Sequence, residues 1–284
     1  MLRELVARVT NTLWRRDPIL DRLNWLTQAA VAAQRDALLN SPRYADHRRL
    51  MRFGAKLYSQ GDEDGIIQEI FKRIQPRNRY FVEFGVENGL QNNTAALLLH
   101  GWSGAWIEGN AASVAAVQRH FRQPLSEGRL KIRHAFVTAE SIESEFASLG
   151  VLAEPDLLSI DIDRNDYWVW NAIVDYRPRV VVIEYNPSFG PIAKCVVRYN
   201  PTATWDRTNF CGASLAALES LGREKGYSLV GCSFLGVNAF FVRNDLVGDH
   251  FCGPFTSENH YEPARFGYIA VGGHPPGWGD LEFV

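Results

Sequence analysis

The sequence predicts an α/β protein built on a doubly wound parallel sheet that ends in one antiparallel hairpin. Three observations predict it. From Tyr80 to Tyr185 short apolar runs alternate with amphipathic stretches, the pattern of strands joined by crossover helices. The first run enters a glycine turn, "FVEFGVENG" at 81–89, the place where such sheets hold a nucleotide. At 212–245 a helix is followed by two β-runs joined by a tight Leu235-Gly236 turn. Runs so closely joined are antiparallel, since a parallel return needs about a dozen residues of crossover.

The elements follow in order. Residues 1 to about 50 carry leucines and valines at three- and four-residue spacing, with Pro18 as a break, and predict helices. A helix after Tyr58 places Ile66, Ile67, Ile70, Phe71 and Ile74 on one face. Asp62, Glu63 and Asp64 crowd its start, where the helix dipole favours negative charge. Strands are expected at 80–84, 104–108, 130–137, 156–161 and 180–185, and helices at 93–100, 111–121, 141–149 and 167–174. Residues 1–57 thus form a helical extension for packing, dimerisation or lid closure. Residues 58–249 are the main domain, and 250–284 a C-terminal wrap rich in Gly, Pro and aromatics.

Composition excludes several functions. A net charge of −2 supplies no basic field for phosphate neutralisation, so nucleic acid is not the expected partner. Cys195, Cys211, Cys232 and Cys252 form no closely spaced pair, which argues for buried, reduced thiols rather than structural zinc. No run of eighteen apolar residues exists, so no integral membrane segment is expected. The start of the chain lacks a signal-peptide pattern, and a cytoplasmic location follows.

The glycine turn restricts the nucleotide. In the dinucleotide fingerprint G-x-G-x-x-G the middle glycine lets backbone approach a pyrophosphate. Here Gly85-Val86-Glu87-Asn88-Gly89 puts a glutamate there, with Glu83 two residues earlier. Carboxylates beside a pyrophosphate are unfavourable, whereas they suit a cofactor carrying positive groups. S-adenosylmethionine has an ammonium and a sulfonium and no phosphate. Glu108, at the end of the next expected strand, stands where an acidic side chain grips ribose hydroxyls.

Five stretches in this order, "YSQGDED" (58–64), "FVEFGVENG" (81–89), "GWSGAWIEGN" (101–110), "LLSIDIDRNDYWVW" (157–170) and "GVNAFFVR" (236–243), resemble class I S-adenosylmethionine-dependent methyltransferases. More narrowly, they are similar to the FkbM-like O-methyltransferase group. The resemblance covers about Tyr58 to Asp245. It implies a Rossmann-like seven-stranded sheet with Glu83, Gly85, Gly89, Thr94, Glu108 and Asp161 around the cofactor and adenine near Val137, Thr138 and Ser141. Gln60 is the candidate for the methionine carboxylate. One position departs from the group's DIDGND motif: Arg164 replaces its glycine.

Methyl transfer to oxygen needs alignment and help in removing a proton. Strand ends carrying Asp161, Asp163, Glu184 and Asn186 offer oxygen donors for a hard cation such as Mg2+, in a manner similar to catechol-type O-methyltransferases. Asp161, Glu184 and Asn186 are the expected metal ligands. Asp163 is the base nearest by motif, and His260 in the wrap is a second candidate. His134 is expected as a core or edge histidine. Trp168, Trp170 and "WDRTNF" (205–210) are candidates for stacking on sugar faces or for core packing. "EYNP" (184–187) follows the fifth strand rather than the fourth, so placement argues against methylation of a nucleobase.

The expected function is therefore O-methylation of a hydroxyl on a saccharide or glycosylated metabolite, by a cytoplasmic homodimer. Two alternatives stay open: a non-catalytic assembly protein with the same fold, and an N-methyltransferase acting on a small amine.

Overall fold

The computed structural model describes residues 18–265 and 281–283, and the chain divides into two compact units, 1–45 and 46–284. The first unit contains helix α1 (Pro18–Leu39) and a 3-10 turn at Pro42–Tyr44. Pro18 opens this helix at a position where its missing N–H costs nothing. The helix expected ahead of it lies outside the described residues.

In the second unit the order is α2 (Glu63–Ile74), β1 (Tyr80–Phe84), α3 (Ala95–Leu99), β2 (Ser103–Glu108), α4 (Ala111–His120), α5 (Arg122–Ser126), β3 (Leu130–His134), α6 (Ile142–Leu149) and β4 (Leu157–Ile160). Then come α7 (Asp166–Ala172), β5 (Val180–Glu184), β6 (Cys195–Val197), α8 (Leu215–Glu224), β7 (Tyr227–Cys232), β8 (Asn238–Arg243), α9 (Ser257–His260) and β9 (Leu281–Phe283). Seven strands make one sheet in the order β3-β2-β1-β4-β5-β8-β7. Pairing is parallel from β3 to β5, and β8 runs antiparallel to both its neighbours. The expected doubly wound sheet with a reversed hairpin is the fold observed. Its strand order reverses at β1 and β4, so a crevice opens beyond their carboxyl ends.

Alternation along the strands divides the core between two faces. Val82 and Phe84 of β1 pack with Ile107, Ile160, Phe146 and Leu218 on one face. Phe81 packs on the other with Trp106, Ile66, Ile70 and Leu98. Glu83 points to that second face, where it meets Asn93, Thr94 and Ser159.

Several boundaries differ from the expected ones. Strand β3 stops at His134 rather than residue 137, and Phe136 stands half exposed. Helix α5 and the small β6–β9 ribbon are too short to carry a period. The β7–β8 connection is longer than a tight turn, occupying 233–237 around Leu235-Gly236. All four cysteines are buried free thiols, and no described helix is long and apolar enough to cross a membrane.

The amino-terminal ends of the strands are tied by one acidic group. Asp156, fully buried ahead of β4, pairs with Arg179 at 2.7 Å. It also accepts the N–H groups of Arg77, Asn78 and Arg79 at 2.6–3.0 Å. Arg179 in turn donates to the carbonyls of Ile74 and Gln75 at the end of α2.

Candidate functional site

At the opposite, carboxyl ends of β1, β2 and β4 lies a cleft of about 490 Å3. Glu83, Glu87, Glu108, Asp161 and Asp163 line it, and among the described residues no lysine or arginine does.

The glycine turn after β1 forms its floor. Gly85 has φ +79°, and a Cβ there would fall 1.6 Å from the Asp161 carbonyl oxygen, so no side chain fits. Gly89, also at +79°, is closed in by the rings of Phe121 and Trp106. Most N–H groups of the turn are already used. Gly85 donates to Ile107 and Gly89 to Val86. Glu87 N–H donates to Glu108 Oε2 at 2.7 Å, and Asn110 N–H to Glu108 Oε1 at 2.7 Å. Glu108 thus ties the β1 turn to the end of β2, with further lone pairs on both oxygens.

Glu83 is committed more completely. Its carboxylate accepts the N–H groups of Asn93 and Thr94 at 2.8 and 3.1 Å, the Thr94 hydroxyl at 2.5 Å and the Ser159 hydroxyl at 3.0 Å. Burial raises its pKa to about 6 in spite of those donors. Thr94 is fully buried and sits behind Glu83, accepting the Trp106 indole N–H at 2.7 Å. Asn92 and Asn93 reach the cleft instead.

The other expected residues are distributed as follows. Gln60 and Val137 line the cleft, with Ala135 and Phe136 beside Val137. Thr138 and Ser141 are not among its lining residues; they bond to each other across the start of α6. The segment 58–64 is chiefly structural: Asp64 Oδ2 accepts from Leu57, Tyr58 and Ser59, and Asp62 accepts from Phe234 N–H. Trp205 of 205–210 lines the cleft, whereas Trp170 is core against Phe241. Trp168 donates to Val197 O. His134 is exposed, its Nε2 3.0 Å from Gly109 O.

His260 is not at the cleft. It is buried in α9 and stacks on Phe255, because α9 packs against β7 and α8. Asn186 is likewise occupied. Its Oδ1 caps Ser188 N–H and its amide donates to the carbonyls of Asn209 and Cys211, so the side chain is held by its own turn and by the 209–211 segment.

A different residue completes the acidic group. Asp161, Asp166 and Glu184 each bring a carboxylate oxygen within 4.8 Å of the others. Asp166 Oδ1 accepts Ile162 N–H at 2.8 Å. Asp166 Oδ2 and Glu184 Oε2 are buried without a hydrogen-bond partner. Burial, and then repulsion from neighbouring carboxylates, holds Asp161 and Glu184 well above the usual carboxyl range. Burial raises Asp166 to about 7. Asp163, exposed at the cleft with φ +64°, adds to the repulsion. Asp166 was not among the expected site residues: it opens α7, and its partner Glu184 comes from a strand adjacent only in space.

No family model and no curated protein matches the chain. Among solved structures it is similar to the pyocyanin biosynthetic protein PhzM, at 12% identity over 62% of this chain and 54% of that one, TM-score 0.38. It is similar to the N-terminal domain of EvdMO1 with SAH bound, at 15% identity over 64% and 79%, TM-score 0.39. A third is NcsB1, an O-methyltransferase from neocarzinostatin biosynthesis in complex with S-adenosylmethionine and a naphthoic acid, at 13% over 63% and 52%, TM-score 0.39. The chain thus spans about half the length of PhzM and of NcsB1. Likenesses this distant concern the fold and carry no weight for cofactor or substrate.

Proposed function

We propose that the protein is an S-adenosylmethionine-dependent O-methyltransferase, of FkbM-like type, acting on a hydroxyl of a saccharide or glycosylated metabolite. One observation carries the reading. Three of the five N–H groups of the glycine turn, those of Gly85, Glu87 and Gly89, are already held by the protein, that of Glu87 by Glu108, in a cleft whose described lining has five acidic residues and no basic ones. That surface repels a dinucleotide and favours a cofactor with positive charge and ribose hydroxyls.

S-adenosylmethionine, when bound, supplies a methyl group on a sulfonium. Glu108 would accept its ribose hydroxyls, Phe136 and Val137 would flank its base, and Gln60 would meet its amino-acid end. The acceptor hydroxyl would lie toward Asp161 and Asp163, with Trp205 along its ring face. Asp163, exposed at the cleft, is then the group to take the proton. Orientation of this kind is worth up to roughly 7–11 kcal/mol of the barrier.

A divalent cation fits the Asp161, Asp166 and Glu184 set. Three converging carboxylates with two unpartnered oxygens match the demand of a hard cation for oxygen donors. A bound Mg2+ would supply charge that lowers the hydroxyl pKa. A cytoplasmic homodimer belongs to the same reading, and sedimentation equilibrium measures its mass.

Calorimetry with S-adenosylhomocysteine tests the cofactor, with micromolar-range binding expected and a loss of about tenfold or more in Glu108→Ala. Equal binding by that variant refutes the site. A screen of candidate glycans for added methyl mass, with Mg2+ and with EDTA, tests the acceptor and the cation. Full turnover in EDTA removes the metal from the reading.

A further inference from the structure

A second cavity, about 300 Å3, opens between α2 and α3. Ile67, Phe71, Ala96, Leu97 and Trp102 form its apolar walls, and the rings of Phe71 and Trp102 meet edge to face with centroids 4.8 Å apart. Its volume is at the lower end of small-molecule sites, roughly 300–1,000 Å3. Such walls suit one planar aromatic ring.

Two polar features give the occupant a chemistry. Asp64 lines the cavity and is buried. Its Oδ2 accepts four hydrogen bonds from 57–59, while Oδ1 is buried with no partner. A buried acceptor left unpaired costs about 1–3 kcal/mol, so a ligand N–H would relieve a standing penalty. Arg79 also lines the cavity and is exposed. It sits at φ +51°, and among the described residues its guanidinium has no acidic partner. The same wall carries the imidazole of His100.

We propose that this cavity binds a small aromatic heterocycle whose ring N–H donates to Asp64 Oδ1 and whose anionic arm pairs with Arg79. The acidic cleft would repel such an arm, so the two sites take ligands of opposite character. The inference is independent of the methyltransferase reading.

The test titrates the full chain with indole-3-acetate, followed by calorimetry and ligand-observed NMR. Two altered probes run alongside: 1-methylindole-3-acetate, which lacks the N–H, and 3-methylindole, which lacks the charge. Saturable one-site binding is expected for the parent probe, weakened about tenfold or more by N-methylation and about fivefold by loss of the arm. Ala96→Phe, which fills the cavity, should abolish it, and Arg79→Ala, at an exposed position, should weaken it about fivefold. S-adenosylhomocysteine binding, measured on the same samples, reports separately on the cofactor cleft. The proposal is overturned if the wild type shows no saturable binding, or if the N-methylated probe or both variants bind as the parent does.

Discussion

Strand β4 carries an aspartate beyond each end, and the two live in opposite surroundings. Asp156, at the amino end, meets Arg179 and three backbone N–H groups. Asp161, at the carboxyl end, meets Asp166 and Glu184. The first arrangement satisfies a buried charge inside the fold and ties α2, β1 and β5 together. The second leaves buried oxygens unpartnered and raises three carboxyl pKa values. Under the proposed function, the outside group that completes the set is a cation or an acceptor proton.

The contrast can be broken most severely at the amino end. Asp156→Ala leaves Arg179 buried without its partner, and should cost about 3–5 kcal/mol, seen as a fall of roughly 10 °C in melting temperature. A loss below about 1 kcal/mol would show that the pair does not hold the pole together.

Gly85→Ala comes next, since the added Cβ meets the Asp161 carbonyl at a left-handed φ. About 3 kcal/mol of destabilisation is expected, together with loss of S-adenosylhomocysteine binding. A variant with wild-type melting and affinity would mean that the turn relaxes freely.

At the acidic pole the sign should reverse. Glu184→Gln removes one of three crowded charges, so at pH 7.5 without metal the variant should be more stable than wild type by about 1 kcal/mol. It should also lose the rise in melting temperature that Mg2+ gives the wild type. Destabilisation in EDTA would contradict the repulsion that the geometry implies.

The same crowding predicts a pH slope. Glu83 is raised to about 6 and Asp166 to about 7, with Asp161 and Glu184 also raised. Between the ordinary carboxyl range and those values the folded chain holds more protons than the unfolded one, so stability falls as pH rises. Metal-free protein should therefore be more stable at pH 5.5 than at 7.5 by urea denaturation. Saturating Mg2+ should flatten the slope, and a rise in stability with pH in EDTA would overturn it.

Much of the cleft was legible along the chain. Glycine turn, Glu108 and Asp161 follow from their places at strand ends, because a strand's period fixes where it stops and its carboxyl end faces the crevice. Glu83 was legible as a cleft residue, but nothing local announces that Asn93, Thr94 and Ser159 will take up its lone pairs. His260 and Asn186 looked available for the same reason. The hydrogen bonds and packing that withdraw them come from 187–211 and from α9, segments without a periodic signal.

The amino-acid sequence by itself determined the alternating elements, the single reversed strand and the acidic character of the crevice, since periodicity and charge are properties of neighbours along the chain. Tertiary structure alone decided which acids are spent and which are left. Asp156 is neutralised and Asp166 joins Asp161 and Glu184 because β4 and β5 lie side by side, and only that adjacency sets the distances on which burial and repulsion depend.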